Sequence, residues 1–211
     1  MATNTAREAS GRQAVRWSPR NSVRWSPRNY LIVGGIGGLA WAAGFRAWMI
    51  QVAGSASTFT WSTFIWLLLP STVIGALLGW AEYRRQTGIT RGRRWLIWSP
   101  LLFISAIIPQ FELLIKYGFG GGAIIVALLG IGGGYALAGR GRLWIRIVVG
   151  ALVAFVTLVG GNMGPDMGPE MNQALALSTP RGAWVAVLFM SFVVVLMIAC
   201  AIPQRIGRPQ P

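Results

Sequence analysis

The stretch WSTFIWLLLPSTVIGALLGWAEYRR, residues 61–85, decides what kind of fold this chain can adopt. It carries no charged side chain before Glu82, and most of its residues are apolar. About 20 residues of this kind are enough for an α-helix to cross the hydrocarbon core of a bilayer. The charged residues Glu82, Arg84 and Arg85 follow directly, as expected where a helix leaves the membrane. The stretch therefore predicts a transmembrane helix that ends at a basic surface.

The composition of the whole chain indicates the same class of protein. Of its 211 residues, 54% are hydrophobic and 11% are charged, whereas a soluble domain carries about 25% charged residues. The mean hydropathy is +0.56. Five more apolar stretches have the length of a span, so the sequence predicts an all-α, polytopic integral membrane protein with a six-helix transmembrane bundle. The predicted spans are 30–53, 61–81, 95–115, 121–138, 143–161 and 182–202.

The basic residues are ordered along the chain as in a membrane protein. The net charge of +14 arises from 19 basic and five acidic residues, and connections rich in arginine alternate with connections that carry few. Because Lys and Arg collect in cytoplasmic loops, we expect an N-in/C-in topology with both termini in the cytoplasm. The expected organisation is a basic cytoplasmic tail at 1–29, the membrane domain at 30–203 and a short basic tail at 204–211. The expected location is a bacterial plasma membrane.

The N-terminal tail repeats the segment VRWSPRN at 15–21 and 23–29. Its polar, basic composition predicts disorder. Arginines beside a membrane contribute about 1 kcal/mol each toward anionic lipid, so we expect contact with the bilayer and with anionic lipid of the inner leaflet. The simplest explanation of the repeat is a recent tandem duplication in a tail with little constraint, which is compatible with lipid contact. Phosphorylation at Ser18 and Ser26 and nucleic-acid binding remain alternatives. We do not expect nucleic acid as a partner, because the basic residues lie between apolar runs.

The residue inventory excludes several kinds of chemistry. The chain has no histidine and a single cysteine, Cys200. These counts exclude histidine-held metals or haem, a Ser-His pair and an intrachain disulfide. In the outer loop, Asp166 and Glu170 offer too few oxygens for a calcium site. We therefore predict no catalytic residue, cofactor or metal, and a protein that is not an enzyme. Lipid chemistry that needs only a carboxylate and an arginine remains open.

Pairs of small residues four positions apart mark candidate helix-packing faces, since they let two backbones approach closely. Such faces serve either packing inside the bundle or the contact between copies in a homo-oligomer. The sequence leaves both uses open. The candidate packing residues are Gly34, Gly38, Gly75, Gly79, Gly130 and Gly134.

Three prolines inside the predicted spans, Pro70, Pro100 and Pro109, mark candidate kinks. Pro70 lacks an N–H group and frees the carbonyl of Trp66. The hydroxyl-bearing residues that follow it are placed to re-satisfy the broken turn. A kinked helix beside a glycine-rich one either lines a cavity, as in transporters, or is a static feature.

Two charged residues are predicted within the outer part of the membrane. Arg46 lies inside the first span, and Glu112 lies near the outer end of the third. Because a charge in a membrane is usually paired or functional, we hypothesise that these two residues meet, with Gln110 as a weaker member, in an outward-facing polar pocket. Alternatively, Arg46 reaches the outer headgroups along its flexible stem, and Glu112 pairs with Lys116 four residues later.

Two short segments suggest a group of proteins. RAWM at residues 46–49, followed by FTWSTFIWLLLP at 59–70, resembles a pattern in uncharacterised multi-span membrane proteins of actinobacteria. The resemblance implies a bacterial plasma-membrane protein and a role for Arg46. It implies no activity, cofactor or substrate.

Two function classes fit these observations. The first is a non-enzymatic membrane subunit or scaffold, with a protein partner or a second copy of the chain. The second is a small transporter or channel with a pocket around Arg46 and Glu112. Transport predicts polar side chains that converge on a water-filled cavity, whereas a scaffold predicts a dry and tightly packed interior.

Overall fold

The computed structural model describes residues 25–54, 60–89, 92–110, 122–139, 141–162 and 173–205. Within these ranges the regular structure is entirely helical. The helices are α1 Pro27–Ala53, α2 Trp61–Thr87, α3, which is α-helical at Arg93–Trp98 and 3₁₀-helical at Ser99–Gln110, α4 Gly122–Ala138, α5 Leu143–Asn162, a 3₁₀ turn at Gln173–Leu175, and α6 Pro180–Arg205.

Four of these helices are long and apolar enough to cross a membrane. They are α1, α2, α5 and α6, each with at least 18 residues. Helices α3 and α4 are apolar but shorter in the described residues. Of the six predicted spans, four therefore have the length and composition that crossing a membrane requires. The end of the third predicted span, residues 111–115, lies outside the described residues.

Pro100 explains why α3 does not continue as a regular α-helix. Pro100 falls at the second residue of the 3₁₀ segment Ser99–Gln110, and its missing N–H cannot enter an α-helical ladder. A 3₁₀-helix rises about 2.0 Å per residue, so the segment is roughly 24 Å long. Together with its α-helical start, α3 is therefore comparable in length to a hydrocarbon core of about 30 Å.

Helix α1 starts three residues before the predicted span, at Pro27. Proline is accepted in the first turn because the N–H it lacks would have no partner inside the helix. The second copy of the N-terminal repeat thus ends inside a helix. The first copy, at 15–21, lies outside the described residues.

Pro70 of α2 lies two residues after the end of a π-helical stretch, Phe64–Leu68. Such stretches mark places where a helix is interrupted. Ser71 and Thr72 each donate a hydroxyl hydrogen bond to the carbonyl oxygen four residues earlier, at 2.6 and 2.8 Å. Both side chains serve the interrupted turn, although their acceptors are the two carbonyl groups that follow that of Trp66, the acceptor expected from the sequence.

Two closely packed helix pairs form the bundle. Helix α1 packs along α2, and α4 packs along α6. Helix α6 also contacts α1, α2 and α5, while α3 contacts α2 and α4. Helix α6 therefore joins the two pairs and carries the largest share of the buried core.

An aromatic cluster holds α1 against α6. The rings of Trp41, Phe45 and Trp48 stack in succession along α1, with centroids 5.0 and 5.4 Å apart. Phe189 and Phe192 of α6 pack against these rings. Both tryptophans donate their indole N–H to a carbonyl oxygen of α6 at 2.9 Å. The cluster therefore runs along the second half of α1 and packs it against α6.

Candidate functional site: an apolar groove between α1, α2 and α6

An apolar groove of about 410 Å³ runs between α1, α2 and α6. Glycines of α1 and α2 form its floor, α6 and Phe103 of α3 form its walls, and almost all of its lining is apolar. We call it the α1–α2–α6 groove. Its lining residues on the two glycine-rich helices include Val33, Gly34, Gly37, Gly38, Ile74, Gly75, Leu78 and Gly79.

The floor of the groove exists because α1 and α2 touch backbone to backbone. A Cβ added to Gly34 would overlap the carbonyl oxygen of Gly75, and one added to Gly38 would overlap that of Ser71. A Cβ on Gly79 would likewise overlap a backbone carbonyl of α1. The structure therefore places these four candidate packing glycines face to face within one chain, which leaves no room for side chains between the helices.

Gly130 and Gly134, the remaining candidate packing residues, contact α6. A Cβ on Gly130 would press on the side chains of Leu196 and Cys200, and one on Gly134 would meet the backbone of Cys200 at 2.7 Å. This second contact is also internal to the chain. Unlike the first, it has no glycine on the facing helix: Gly130 lies against side chains, and Gly134 lies against the backbone and side chain of Cys200.

A polar network lies at one end of the α1–α2–α6 groove. Glu82 accepts two hydrogen bonds from Arg85, at 2.6 and 2.7 Å, and a third from the Gln86 amide at 2.9 Å. The Tyr30 hydroxyl of α1 donates to the amide oxygen of Gln86 at 2.5 Å. Glu82 and Arg85 thus form an ion pair within one turn of α2. The network ties the start of α1 to the end of α2.

Aromatic rings close the opposite end. Trp41 lines the groove there and packs edge-on against Phe103, with the ring centroids 5.4 Å apart. Tyr30 and Trp41 are eleven positions apart on α1, so at 1.5 Å per residue the groove is roughly 16 Å long. It therefore has one polar end, one aromatic end and a length of about half the hydrocarbon core of a bilayer.

The polar pocket predicted around Arg46 is only partly within the described residues. Arg46 is half-buried in α1, whereas Glu112 and the side chain of Gln110 lie outside the described residues. The pairing of Arg46 with Glu112 stays a prediction. Near the same end of α1, Gln51 accepts a hydrogen bond from Arg181 of α6 at 3.3 Å.

Buried polar side chains in the described part of the chain are bound to backbone carbonyl groups. Ser71, Ser99 and Thr157 each donate a hydroxyl to a carbonyl three or four residues earlier in their own helix, at 2.6 to 2.9 Å. Gln204 of α6 donates its amide to Ile131 of α4 at 3.1 Å. These donors stabilise helices and helix contacts. Ser71 also lines the groove, but its hydroxyl is bound to the carbonyl of Leu67 in its own helix.

Two arginines bind the C-terminal end of α4, a role that the sequence analysis missed. Arg146 of α5 donates twice to the Ala136 carbonyl, at 2.9 and 3.1 Å. Arg205 of α6 donates to the Leu137 carbonyl at 2.8 Å. Carbonyl groups in the last turn of a helix have no partner inside it, and cations are favoured there. These arginines therefore have a structural role at one end of the bundle.

The α1–α2–α6 groove itself was not foreseen. A signal was present in GGIGG at residues 34–38, where Gly37 adds a glycine that the four-residue spacing does not require. A Cβ at Gly37 would meet nothing within 4 Å. The position therefore opens the groove and takes no part in the close contact between α1 and α2.

Comparison with known proteins gives no match. No family model matches the sequence, and neither a curated protein nor a solved structure is significantly similar to it. Among the described residues, no three His, Cys, Asp or Glu side chains are grouped so that they could hold a metal ion. The function is therefore inferred from the geometry of this chain alone.

Proposed function

We propose that this chain is a multi-pass protein of a bacterial plasma membrane that acts as a non-enzymatic membrane subunit or scaffold. Its long helices turn large apolar side chains outward, with Ile32, Ile36 and Leu152 each at least 57% exposed. A soluble surface rarely exposes apolar residues over such an extent. In a bilayer the same residues face lipid, so their exposure carries no free-energy penalty.

The apolar interior is the observation that carries the proposal. The groove is almost wholly apolar, and the buried polar side chains of the described ranges are bound to carbonyl oxygens. A transporter places polar or charged groups along a path where they bind a solute or an ion. The described part of this bundle offers an apolar interior and a groove lined almost wholly by apolar groups instead, which favours a subunit or scaffold.

The basic helix ends support a topology with both termini in the cytoplasm. Tyr30 at the start of α1 binds Gln86 at the end of α2, and Ile202 near the end of α6 lines the same end of the groove as Glu82. Arg205 in turn reaches the end of α4. The arginine-rich ends thus gather on one side of the bundle, as the positive-inside rule requires.

A small transporter or channel is the alternative function. The specific observation in its favour is Arg46, a half-buried cation inside α1. An ionisable residue within a membrane marks a functional site more often than an accident of sequence. This alternative requires Glu112 or another acidic group to complete a pocket around Arg46.

Reporter fusions test the membrane topology. Alkaline phosphatase, which is active only outside the cytoplasm, is fused to a bacterially expressed chain after Gln173 or after Pro211. We expect activity from the first fusion and none from the second, with both proteins in the membrane fraction after alkaline extraction. Activity from the second fusion, or release of the protein by extraction, would contradict the proposal.

The choice between subunit and transporter needs a second experiment. The tagged protein is purified in mild detergent from its native membrane, and the mass of the intact complex is measured. A stoichiometric protein partner supports the subunit or scaffold. Solute flux into proteoliposomes of the purified protein alone, abolished by Arg46→Ala and kept by Arg46→Lys, would establish the transporter instead.

A further inference from the structure

The α1–α2–α6 groove has the dimensions and lining of a binding site for a hydrocarbon chain. Its volume of about 410 Å³ lies within the range of small-molecule sites, roughly 300 to 1,000 Å³. Ligand sites of this size normally include a few polar groups that orient the ligand. Here Tyr30 and Glu82 line one end of the groove, and the remaining polar side chain of the lining, Ser71, has its hydroxyl bound to the Leu67 carbonyl.

We propose that the groove holds one acyl chain of a phospholipid of the cytoplasmic leaflet, with the headgroup beside Tyr30, Glu82 and Arg85. The proposal rests on the membrane topology put forward above. That topology places the polar end of the groove at the cytoplasmic surface and the Trp41 end near the middle of the bilayer.

The length of the groove identifies the occupant. From Tyr30 to Trp41 it extends roughly 16 Å, which is one leaflet of a hydrocarbon core about 30 Å thick. A transmembrane helix of a partner would need a groove that continues through both leaflets. This one is closed at mid-membrane by Trp41 and Phe103, which pack against each other. An acyl chain that enters from one surface fits that closure.

The polar end suits a phospholipid headgroup. Arg85 is about one-third exposed beside Glu82, and the exposed Arg28 lies two residues before Tyr30. Trp25, 47% exposed, lines the rim of the groove. Tryptophan and tyrosine prefer the headgroup layer, and arginines near an anionic leaflet attract lipid phosphate. The end of the groove therefore offers both kinds of group that a headgroup contacts.

The chain's own N-terminal segment does not fit the groove. Residues 1–24 include five arginines and no long apolar run. An apolar cavity would have to desolvate those charges without a partner for them. A lipid chain carries no such cost.

Gly37 gives an independent reason to regard the groove as a site. Glycine disfavours a helix relative to alanine, yet Gly37 lies in the interior of α1 and lines the groove. Close packing does not require it, because a Cβ there would meet nothing within 4 Å. Its lack of a side chain keeps the groove open.

The test measures how firmly the protein holds dioleoyl phosphatidylglycerol. Full-length protein is placed in nanodiscs of this lipid, released into the gas phase and analysed by native mass spectrometry at rising collision energy. Gly37→Leu fills the groove from its floor, and Ala43→Leu is the matched control. Ala43 is an exposed small residue of α1 that does not line the groove.

We expect the wild type to keep one lipid at energies that remove all others. Gly37→Leu should lower the fraction with bound lipid at least tenfold, while Ala43→Leu should match the wild type. Should Gly37→Leu fail to fold, Val33→Trp fills the groove from an exposed wall position and should give the same loss.

Two results would overturn the proposal. One is equal lipid retention by the wild type and the filled variants, and the other is no retained lipid in the wild type. A protein partner that dissociates on Gly37→Leu without any change in lipid would show that the groove binds protein. The reporter fusions keep the two proposals separate. A chain that inserts with the expected topology but retains no lipid would contradict only the proposal that the groove binds an acyl chain.

Discussion

The two glycine-rich helix contacts of this bundle use one sequence pattern in different ways. Between α1 and α2, glycine faces glycine, so the backbones touch and the edge of the contact stays open as the groove. Between α4 and α6, Gly130 and Gly133 face the side chains of Leu196, Met197 and Cys200, which fill the space, while Gly134 faces the backbone of Cys200. Small residues four positions apart therefore specify a close approach of two helix backbones. The residues on the opposite helix decide whether a cavity remains beside it.

The largest expected effect is at the α1–α2 contact. Gly75→Val places side-chain atoms where the Gly34 carbonyl and the backbone of Gly38 now lie. Neither neighbour is the end of a flexible side chain, so the helices must separate, at a cost of about 3 kcal/mol or more. Thermal unfolding in mild detergent measures the loss. Gly37→Ala is the control and should keep or raise the Tm, since its Cβ enters open space.

The α4–α6 contact should tolerate a methyl group at one position and resist it at the next. At Gly133 the added Cβ meets the side chain of Met197, which can move aside. At Gly134 it meets the backbone of Cys200. Gly133→Ala should cost about 1 kcal/mol and Gly134→Ala about 2 to 3 kcal/mol. Equal losses of Tm would mean that Met197 is as rigid as backbone and that the two contacts differ less than proposed.

The aromatic cluster gives the next smaller effect. Trp48→Phe keeps most of the buried ring surface and removes the indole N–H that donates to Val185. A net cost of about 1 to 2 kcal/mol is expected from the lost hydrogen bond and the smaller ring. Trp61→Phe, at a side chain that is 81% exposed, is the control and should leave the Tm unchanged. A similar loss from both variants would argue against a role of the cluster in joining α1 to α6.

The smallest effect is expected at the polar end of the groove. Glu82→Gln removes the ion pair with Arg85, which is partly exposed and only three residues away. Such pairs contribute about 0.5 kcal/mol, and salt screens them. The difference in Tm between variant and wild type should therefore be small at low salt and vanish at high salt. A difference that persists at high salt would indicate that Glu82 holds α1 and α2 together through Gln86 and Tyr30.

The elements of the fold were largely accessible from local sequence. The apolar runs predicted six helices, and the structure has a helix at each of them within the described residues. The boundaries differ by a few residues because turn geometry, such as Pro27 in the first turn of α1, is read only approximately from composition. The 3₁₀ form of α3 was not foreseen, although Pro100 is its visible cause.

The site was far less accessible. The sequence pattern identified the candidate glycines. It did not show that Gly34 and Gly38 of α1 pack against Gly75 and Gly79 of α2. The spacing of residues along one helix shows which face carries small side chains. It does not show which other helix packs on that face. The arginine contacts to α4 depend in the same way on the packing of whole helices. Arg205 and its acceptor Leu137 are 68 positions apart in the chain.

The sequence by itself determined the apolar, helical character of the chain and the order of its helices. Both follow from the free energy of transferring each segment from water into an apolar phase, which depends on the residues of that segment alone. Only the tertiary structure decided which glycine faces meet, where an apolar groove stays open and which carbonyl groups the arginines bind. These features depend on the mutual fit of surfaces from distant segments, because helices in an apolar medium associate by close packing and specific polar contacts.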